Sequence, residues 1–376
     1  MKKKICYVDE DGRYGGPQAR MLELEKNINK KEFTIYFLIP EKLNIFNKIL
    51  SKINANYKEI PLTRLSNNLK TIAKYIFLFP YETLILINNF KKNKYNIIQA
   101  NGAPHFKTIL AAKICNIPSI WIVEDTYSPK IILFIFRILA KKCECKVVYK
   151  SKKVHDYYLK NSNFKKKNLY KIMSPINSRF FKRKKPYKNN KKLIISTISG
   201  IVPVKGVEDF LYVAKKILTR FNHVTFIFVG GKIDTQIFYF NKMMKIYNSF
   251  NKKIKKKIKF IGMQKNVKKI LENSDIFLCT SRSEGGPITV WEAMSMKVPV
   301  VSTKVGGTPE IILNGYNGYL CNISNINQIY KSLVSLIKNS RLRNDFSKHS
   351  RKIITNKIDS RIITKKYEKL YHSINV

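Results

Sequence analysis

Short apolar runs rich in β-branched residues alternate with helix-period segments along this chain, and the alternation occurs twice. The first series comprises KICYVD, EFTIYFLIP, NIIQA, PSIWIV and KVVYK, separated by segments such as PQARMLELEKNINK. The second comprises KLIISTIS, VTFIFVGG, KIKFIG, DIFLCTS and VPVVST. Short buried strands that alternate with helices form parallel sheets covered by helices. The pattern therefore predicts an α/β protein built from two doubly wound halves.

A charged, Asn-rich stretch separates the two series, from about residue 165 to 192, and its latter part is typical of an exposed linker. A chain of 376 residues is also too long for one ordinary hydrophobic core. We predict an N-terminal Rossmann-like domain over residues 1–180 and a C-terminal one over 181–355. The amphipathic helix predicted within 356–376 can pack back on the N-terminal domain.

The chain carries a formal charge of +48, from 72 Lys and Arg against 24 Asp and Glu. Such a surface attracts anionic lipid, phosphates and nucleotides, although Asn, Ile, Tyr and Phe are enriched as well, as A/T-rich codon usage would produce. The charge is spread over the chain and accompanies no nucleic-acid-reading motif, so a nucleic-acid partner is not expected. With scattered cysteines, no visible signal peptide and no spanning apolar run, the sequence predicts a cytoplasmic protein.

The segment KIILFIFRILAKK, from Lys130, combines a basic end with apolar residues. One interpretation is a buried core helix. The other is a helix that lies on a membrane, with Lys141 and Lys142 near acidic headgroups. The second would place the protein peripherally on the inner face of the cytoplasmic membrane.

The loop SEGGP follows the strand DIFLCTS and precedes a helix predicted from Ile288. Gly285 and Gly286 let a ligand approach the backbone, Pro287 suits the start of a helix, and the N–H groups of Ile288, Thr289 and Val290 would face an anion. Glu284 in the loop and Glu292 in the helix could contact different parts of one extended ligand. A sugar–diphosphate–nucleoside fits, with one carboxylate on the sugar and one on the ribose. Ordinary loop and solvated helix residues remain the alternative.

Other loops offer similar chemistry. Gly15 and Gly16 open a helix after the first strand, and Lys205 follows the first strand of the second half, where it could neutralise a diphosphate. Ser199 and Gly230 stand at the ends of neighbouring predicted strands and are further possible ligand-facing residues. In doubly wound sheets, ligands bind beyond the carboxyl ends of the strands.

These motifs resemble glycosyltransferase family four, whose members are retaining enzymes with the GT-B fold. Glu284 and Glu292 match the family's E-x7-E element, VPVKG its Pro-x-Lys-Gly loop and DGRYGGPQARMLEL its N-terminal glycine loop. KFIGMQKNVKKILENSDIFLCTS and YNGYL resemble further segments. The resemblance spans nearly the whole chain and is stronger in the C-terminal half.

The resemblance implies two Rossmann-like domains that face each other across a cleft, with the acceptor bound by the N-terminal domain. Glu284 would contact the donor sugar near its reacting carbon, Glu292 would hold the ribose, and Lys205 would stabilise the leaving diphosphate. Gly15 and Gly16 would let their loop close over that diphosphate. It also implies that neither a metal nor a cofactor is needed.

Two positions depart from the family's pattern. Gly200 stands where the family usually has an arginine, so either a lysine replaces that cation or donor binding is weaker. Where the family often has a histidine, WIVEDTY offers Glu124 and Asp125. Either carboxylate could bind a sugar hydroxyl or take the acceptor proton. His105 is the other candidate, with an ordinary loop histidine as its alternative.

The sequence thus predicts a glycosyltransferase that moves a sugar from a nucleotide-diphosphate sugar to a glycan or lipid-linked acceptor. A surface glycan such as lipopolysaccharide or capsule is the expected product. Two alternatives share the fold: a nucleotide-sugar 2-epimerase, which would act on the donor alone, and a catalytically degenerate nucleotide-sugar-binding protein.

Overall fold

The computed structural model describes residues 2–12, 14–41, 45–66, 68–160, 162–184 and 192–375. These residues form two compact units. The N-terminal unit consists of Met1–Pro175 together with Ser360–Val376, and the C-terminal unit consists of Ile176–Asp359. The last part of the predicted linker, residues 185–191, lies outside the described residues.

The N-terminal unit contains strands and helices in alternation. Its strands are β1 (Lys3–Val8), β2 (Phe33–Pro40), β3 (Asn56–Ile60), β4 (Ile97–Asn101), β5 (Ser119–Val123), β6 (Lys146–Tyr149) and β7 (Leu169–Lys171). Its helices are α1 (Gly16–Asn27), α2 (Phe46–Lys52), α3 (Leu69–Asn93), α4 (Phe106–Ile114), α5 (Lys130–Lys142), α6 (Lys152–Leu159) and, from the end of the chain, α15 (Ser360–His372).

Within the described residues, this sheet has the strand order β3-β2-β1-β4-β5-β6-β7, and all its pairs are parallel. Because parallel crossovers are right-handed, α3, α4, α5 and α6 cover one face and α1 and α2 the other. Contacts between α3 and α4 and between α4 and α5 agree with this arrangement, and α15 packs beside α1. The strand order reverses between β1 and β4, which is where ligands bind in such sheets.

The C-terminal unit repeats the architecture. Its strands are β8 (Leu193–Ile198), β9 (Val224–Val229), β10 (Ile258–Phe260), β11 (Ile276–Cys279), β12 (Val300–Thr303) and β13 (Tyr319–Cys321). Its helices are α7 (Val207–Leu218), α8 (Ile237–Asn248), α9 (Lys252–Lys255), α10 (Val267–Glu272), α11 (Ile288–Ser295), α12 (Thr308–Ile311), α13 (Ile326–Lys338) and α14 (Ser340–Lys357).

The parallel sheet of the C-terminal unit has the order β10-β9-β8-β11-β12-β13 over the part of the chain that the structure describes. Its order reverses between β8 and β11, so the loops after these two strands meet at one edge. The core beneath them is formed by fully buried residues such as Phe210, Phe226 and Phe228. Both strands are apolar because both faces of the sheet are covered.

Helix α3 is the longest helix of the chain's described residues, at 25 residues, and it carries Pro80 in its interior. The described helices include none with the length and apolar character needed to cross a membrane.

Candidate active site

Lys205 and Glu284, which the sequence predicted separately, are brought together at the edge where β8 and β11 end. Their side chains form an ion pair between Lys205 Nζ and Glu284 Oε1. Ser281 Oγ donates a hydrogen bond of 2.9 Å to the same carboxylate oxygen. The two charged side chains remain 26% and 15% exposed, so a ligand can reach both.

The backbone holds the two loops together. The N–H of Arg282 donates to the carbonyl of Val204 at 2.8 Å, and Thr280 Oγ1 donates to the carbonyl of Lys205 at 3.2 Å. Gly206 has a φ of +60°, and a Cβ at this position would lie 2.2 Å from the carbonyl oxygen of Thr280. Glycine is therefore required for this close approach, which places Lys205 over the end of β11.

The second glycine pair of the segment supports the SEGGP loop. Gly306 has a φ of +47°, and a Cβ there would lie 2.6 Å from the carbonyl oxygen of Glu284 and 2.5 Å from that of Gly285. The loop after β12 therefore packs directly beneath the loop that carries Glu284. Because the two backbones touch, the position of Glu284 depends on both loops.

Helix α11 begins at Ile288, as predicted, and its first N–H groups are only partly available to an anion. The N–H of Val290 donates to the carbonyl of Pro287 at 3.0 Å, so the prediction that it faces a ligand is wrong. This hydrogen bond spans three residues and closes the first turn of the helix onto its N-cap, Pro287. Among the described residues, the N–H groups of Ile288 and Thr289 have no acceptor. Within the described residues, these two donors are thus the ones left for the predicted anion contact.

Glu292 lies half-buried in α11, and within the described residues its carboxyl group has no hydrogen-bond partner. Burial raises the pKa of Glu292 to about 8, because loss of water disfavours the charged form. A carboxyl group without a partner is an unmet acceptor that ribose hydroxyls could satisfy. A solvated helix residue, the alternative at the sequence level, would not have this environment.

Ser199, Lys205, Ser281, Glu284 and Thr289 contribute to one small pocket at the carboxyl ends of β8 and β11. Ser199 Oγ is buried and has no hydrogen-bond partner in the described part of the chain. Of the residues that the sequence singled out in the second half, the pocket therefore unites Ser199, Lys205, Glu284 and Thr289.

The glycines beside this pocket shape its neighbouring loops. Gly230 has a φ of +140°, and a Cβ there would lie 1.8 Å from the carbonyl oxygen of Ser199. A Cβ on Gly200, the position of the expected arginine, would lie 3.2 Å from Ile233 Cδ1. An apolar side chain thus lies next to the place where the family usually has a cation.

In the N-terminal unit, Asp125 is bound by its own loop. Its Oδ1 accepts hydrogen bonds from the N–H groups of Tyr127 and Ser128, at 3.2 and 3.1 Å, and from Tyr158 Oη at 3.0 Å. Burial raises the pKa of Asp125 above its ordinary value. This carboxylate fixes the turn after β5.

Glu124 instead pairs with Arg20 of α1, which the sequence analysis had not singled out. Burial favours the neutral carboxyl, but Arg20 and Lys150 together hold the pKa of Glu124 below its ordinary value. Arg20 also donates to Asn101 Oδ1 at 3.1 Å, and the buried Lys150 donates to Tyr367 Oη at 2.9 Å. The position of Lys150 at the end of strand KVVYK was the signal that could have identified it.

His105 is buried, and both of its ring nitrogens are bound to backbone. Nε2 accepts from the N–H of Glu10 at 3.1 Å, so Nδ1 carries the proton and donates to the carbonyl of Gly102 at 3.1 Å. The ring joins the loops after β1 and β4.

The N-terminal glycine loop leads into α1. The N–H of Gly15 donates to Gln18 Oε1 at 3.0 Å, and Gln18 Nε2 donates to Asp9 Oδ2 at 2.8 Å. Gly15 is therefore already bonded, whereas the N–H of Gly16 has no acceptor among the described residues. Across those residues, there is also no group of three or more His, Cys, Asp or Glu side chains arranged to hold a metal ion.

Comparison with known proteins gives the following similarities. Residues 178–353 match the family model of glycosyl transferases group 1. The chain is 29% identical over 202 residues to the N-acetyl-alpha-D-glucosaminyl L-malate synthase of Bacillus anthracis. The aligned region covers 52% of this chain and 51% of that protein. The chain thus spans about half the length of this relative. It is 23% identical to UDP-Gal:alpha-D-GlcNAc-diphosphoundecaprenol alpha-1,3-galactosyltransferase of Escherichia coli over 94% of this chain and 93% of that one.

The crystal structure of Anabaena HepE in complex with UDP and glucose superposes with a TM-score of 0.81 at 16% identity, covering 99% of this chain and all of that one. A likeness that extends over the whole chain confirms the GT-B fold class predicted from the sequence.

Proposed function

We propose that this chain is a retaining glycosyltransferase that moves a sugar from a nucleoside-diphosphate sugar to an acceptor hydroxyl. The observation that carries the proposal is the accessible pair of Lys205 and Glu284 beside the start of α11. Lys205 in the loop after β8 supplies a cation, and α11 supplies two N–H groups and a carboxyl group that have no partner among the described residues. Together they match the diphosphate and the ribose of such a donor.

The residues divide the chemistry between them. When the sugar–phosphate bond breaks, negative charge develops on the departing diphosphate. Lys205 Nζ and the N–H groups of Ile288 and Thr289 stabilise that charge. In this proposal Glu284 contacts the sugar, and Glu292 accepts hydrogen bonds from the ribose. Donor binding draws Lys205 from Glu284 toward the diphosphate, because the ion pair is partly exposed and costs little to rearrange.

The acceptor is proposed to be a surface glycan or its lipid-linked precursor. The support is the whole-length similarity to the E. coli enzyme, whose name gives a diphosphoundecaprenol-linked acceptor. Retention of configuration and independence of metal ions belong to the same proposal. Nuclear magnetic resonance of the product's anomeric proton tests the first, and activity in the presence of EDTA tests the second.

A location on the inner face of the cytoplasmic membrane is also proposed, as suits a lipid-linked acceptor. Helix α5 supports it, because Ile131 and Phe134 are exposed while Leu133 and Phe136 are buried. The helix therefore has both a core-packing face and an outward apolar face beside Lys141 and Lys142.

The experiment that tests the donor site is thermal-shift binding without added metal. UDP, GDP, ADP and CMP are compared, each with its common sugar forms. A rise in melting temperature with one nucleotide supports the proposal and identifies the base. If no nucleotide raises the melting temperature, the proposal fails. Turnover of the donor without any acceptor would favour the epimerase instead.

A further inference from the structure

Helix α3 presents a continuous apolar stripe to solvent. Leu69, Ile76, Phe77, Tyr81 and Leu84 are each between 58% and 83% exposed. Ile76 and Phe77 are adjacent, and each of the others lies four or seven residues from one of these two, so the five share one broad side of the helix. Over about 22 Å of helix length, none of the described residues of the unit covers this side.

The opposite side of α3 accounts for the helix's own packing. Tyr75, Glu82, Leu86 and Phe90 are buried there and pack toward α4 and the sheet. The outward stripe is therefore not needed to fold the unit. Isolated exposed apolar residues are ordinary, but a contiguous row of large ones marks an interaction surface.

The charges around the stripe are all of one sign. Lys70, Lys74, Lys91 and Lys92 are the exposed charged residues of α3. Its single acid, Glu82, is buried against Lys107. The neighbouring helices α4 and α5, which the structure describes in full, contain no acidic residue.

Helix α5 lies on the same face of the sheet and has the same character. Ile131, Phe134 and Ile138 are exposed, and Lys130, Lys141 and Lys142 lie at its ends. The outward faces of α3 and α5 thus carry lysines and no carboxylate. On the same side of the sheet, carboxylates occur at Glu144, just after α5, and at Asp156 of α6, which pairs with Lys152. A protein partner would commonly be met by charges of both signs on the apolar faces themselves, whereas an anionic bilayer fits a predominantly basic rim.

We propose that the outward stripe of α3 is the main membrane-docking element of this chain, with Phe77 inserted at the headgroup–acyl boundary of an anionic bilayer. The outward face of α5, on the same side of the sheet, is a secondary contact. This deepens the membrane location in the proposed function and rests on it for its biological purpose, but it can be measured without any donor or acceptor.

The first test is co-sedimentation of the full chain with phosphatidylcholine vesicles, with and without phosphatidylglycerol. We expect binding to require the anionic lipid and to fall in high salt. Phe77→Asp should weaken binding about 10-fold to 100-fold, since it removes one buried aromatic side chain. Phe238→Asp is the matched control, because Phe238 is 89% exposed on α8 of the other unit, compared with 83% for Phe77. Equal loss in both variants, or in neither, would overturn the proposal.

A second measurement follows insertion directly. The two native tryptophans, Trp121 and Trp291, are both fully buried, so a reporter at the stripe is seen against a constant background. Phe77→Trp should show a blue-shifted emission on anionic vesicles, and Phe238→Trp should not. Vesicle binding without a shift at position 77 would assign docking to another surface and refute this one.

Two further outcomes separate the stripe from the donor site and from other partners. Phe77→Asp should keep the nucleotide-induced thermal shift, because Phe77 is not part of the pocket. If vesicles bind through Phe77 but no nucleotide does, the proposed function fails and the docking surface stands. If the chain dimerises through Phe77 and ignores vesicles, the stripe covers a second copy and the membrane proposal is wrong.

Discussion

At the residue scale, Glu292 is the most informative side chain of the candidate site. It combines burial, a raised pKa and the lack of a hydrogen-bond partner among the described residues. Such a group is costly in the free protein, and the proposed ribose contact would give it partners. Its protonation should therefore be coupled to nucleotide binding.

We expect nucleotide affinity to rise with pH until about 8 and then level off, because ribose hydroxyls donate best to an ionised carboxylate. Glu292→Gln should remove this pH dependence and weaken binding about tenfold at pH values above the pKa. Isothermal titration calorimetry across the range measures both effects. An affinity that is independent of pH in the native protein would contradict the ribose role.

Stability should show the opposite dependence. Glu292 has a folded-state pKa of about 8, above the ordinary value of 4.5, so the folded state retains a proton that the unfolded state loses. Stability therefore declines as pH rises from 4.5 to 8. Glu292→Gln should stabilise the protein by about 2 kcal/mol above this window and have little effect below it. Denaturant unfolding at both ends of the window checks the sign.

Glu284 should matter for transfer far more than for folding. Its ion pair with Lys205 is partly exposed, so Glu284→Gln should change the melting temperature little. The same change should reduce transfer at least about 100-fold, since the proposed mechanism assigns this carboxylate to the sugar. Nucleotide affinity should not fall, because the change removes the ion pair that holds Lys205 on Glu284. A variant that retains transfer would remove Glu284 from the mechanism.

At the element scale, three loops are interlocked through glycine contacts. Gly306 lies beneath the SEGGP loop, and an added Cβ has no room there. Gly315 has a comparable φ of +80°, yet nothing lies within 4 Å of its Cβ position. Substituting the two glycines therefore distinguishes the effect of backbone strain, which both positions share, from displacement of the SEGGP loop, which is expected only at Gly306.

We expect Gly306→Ala and Gly315→Ala both to lose stability by about 1 kcal/mol or more from the left-handed backbone. Only Gly306→Ala should also move Glu284 and weaken nucleotide binding. The measurement is the rise in melting temperature that the preferred nucleotide causes, taken for each variant from its own nucleotide-free melting temperature. Equal nucleotide binding by both variants would show that the loops are not coupled.

Most of the strands that the sequence predicted are central and buried, although the edge strand β10 was predicted as well, from KIKFIG. Strands β3, β7 and β13 were missed, and all three are short strands at sheet edges. Residues 56–58 of β3 are exposed, so neither an apolar run nor a clean alternation marks it. Edge strands are often short and polar, which weakens their sequence signal.

The sequence predicted several residues of the candidate site but not the contacts between them. Lys205 and Glu284 were each singled out, but their ion pair depends on β8 lying beside β11, with two strands between them in the sequence. Arg20 was missed because nothing in the sequence of α1 indicates that its arginine is buried. Its partner Glu124 stands 104 residues away. Such pairings arise from strand order, which single-sequence motifs do not carry.

At the scale of the whole molecule, the last helix belongs to the first unit. Helix α15 buries Ile363, Tyr367, Leu370 and Tyr371. Tyr371 Oη donates to Gln99 Oε1 at 2.7 Å, and Lys3 Nζ donates to the carbonyl of Ile374 at 2.9 Å. The helix thus completes the core on one face of the N-terminal sheet.

Removal of residues 360–376 should therefore destabilise the N-terminal unit by more than about 4 kcal/mol, since four large side chains leave its core. Trp121 lies in the N-terminal unit and Trp291 in the C-terminal unit. A variant that keeps one tryptophan and has Phe in place of the other therefore reports the unfolding of one unit. We expect the Trp121 transition to move to lower denaturant and the Trp291 transition to stay. Tyr371→Phe is the mild control and should cost about 1 kcal/mol. Equal movement of both transitions would contradict the assignment.

The placement of α15 has a consequence for biosynthesis. Residues 176–359 are contiguous, so the second unit can fold as soon as it leaves the ribosome. The first unit emerges earlier but lacks its closing helix until residues 360–372 have emerged as well. We expect a nascent chain that has just released residue 359 from the ribosome to carry a protease-resistant second unit and a protease-sensitive first one. The order of maturation along this chain is thus the reverse of the order of synthesis.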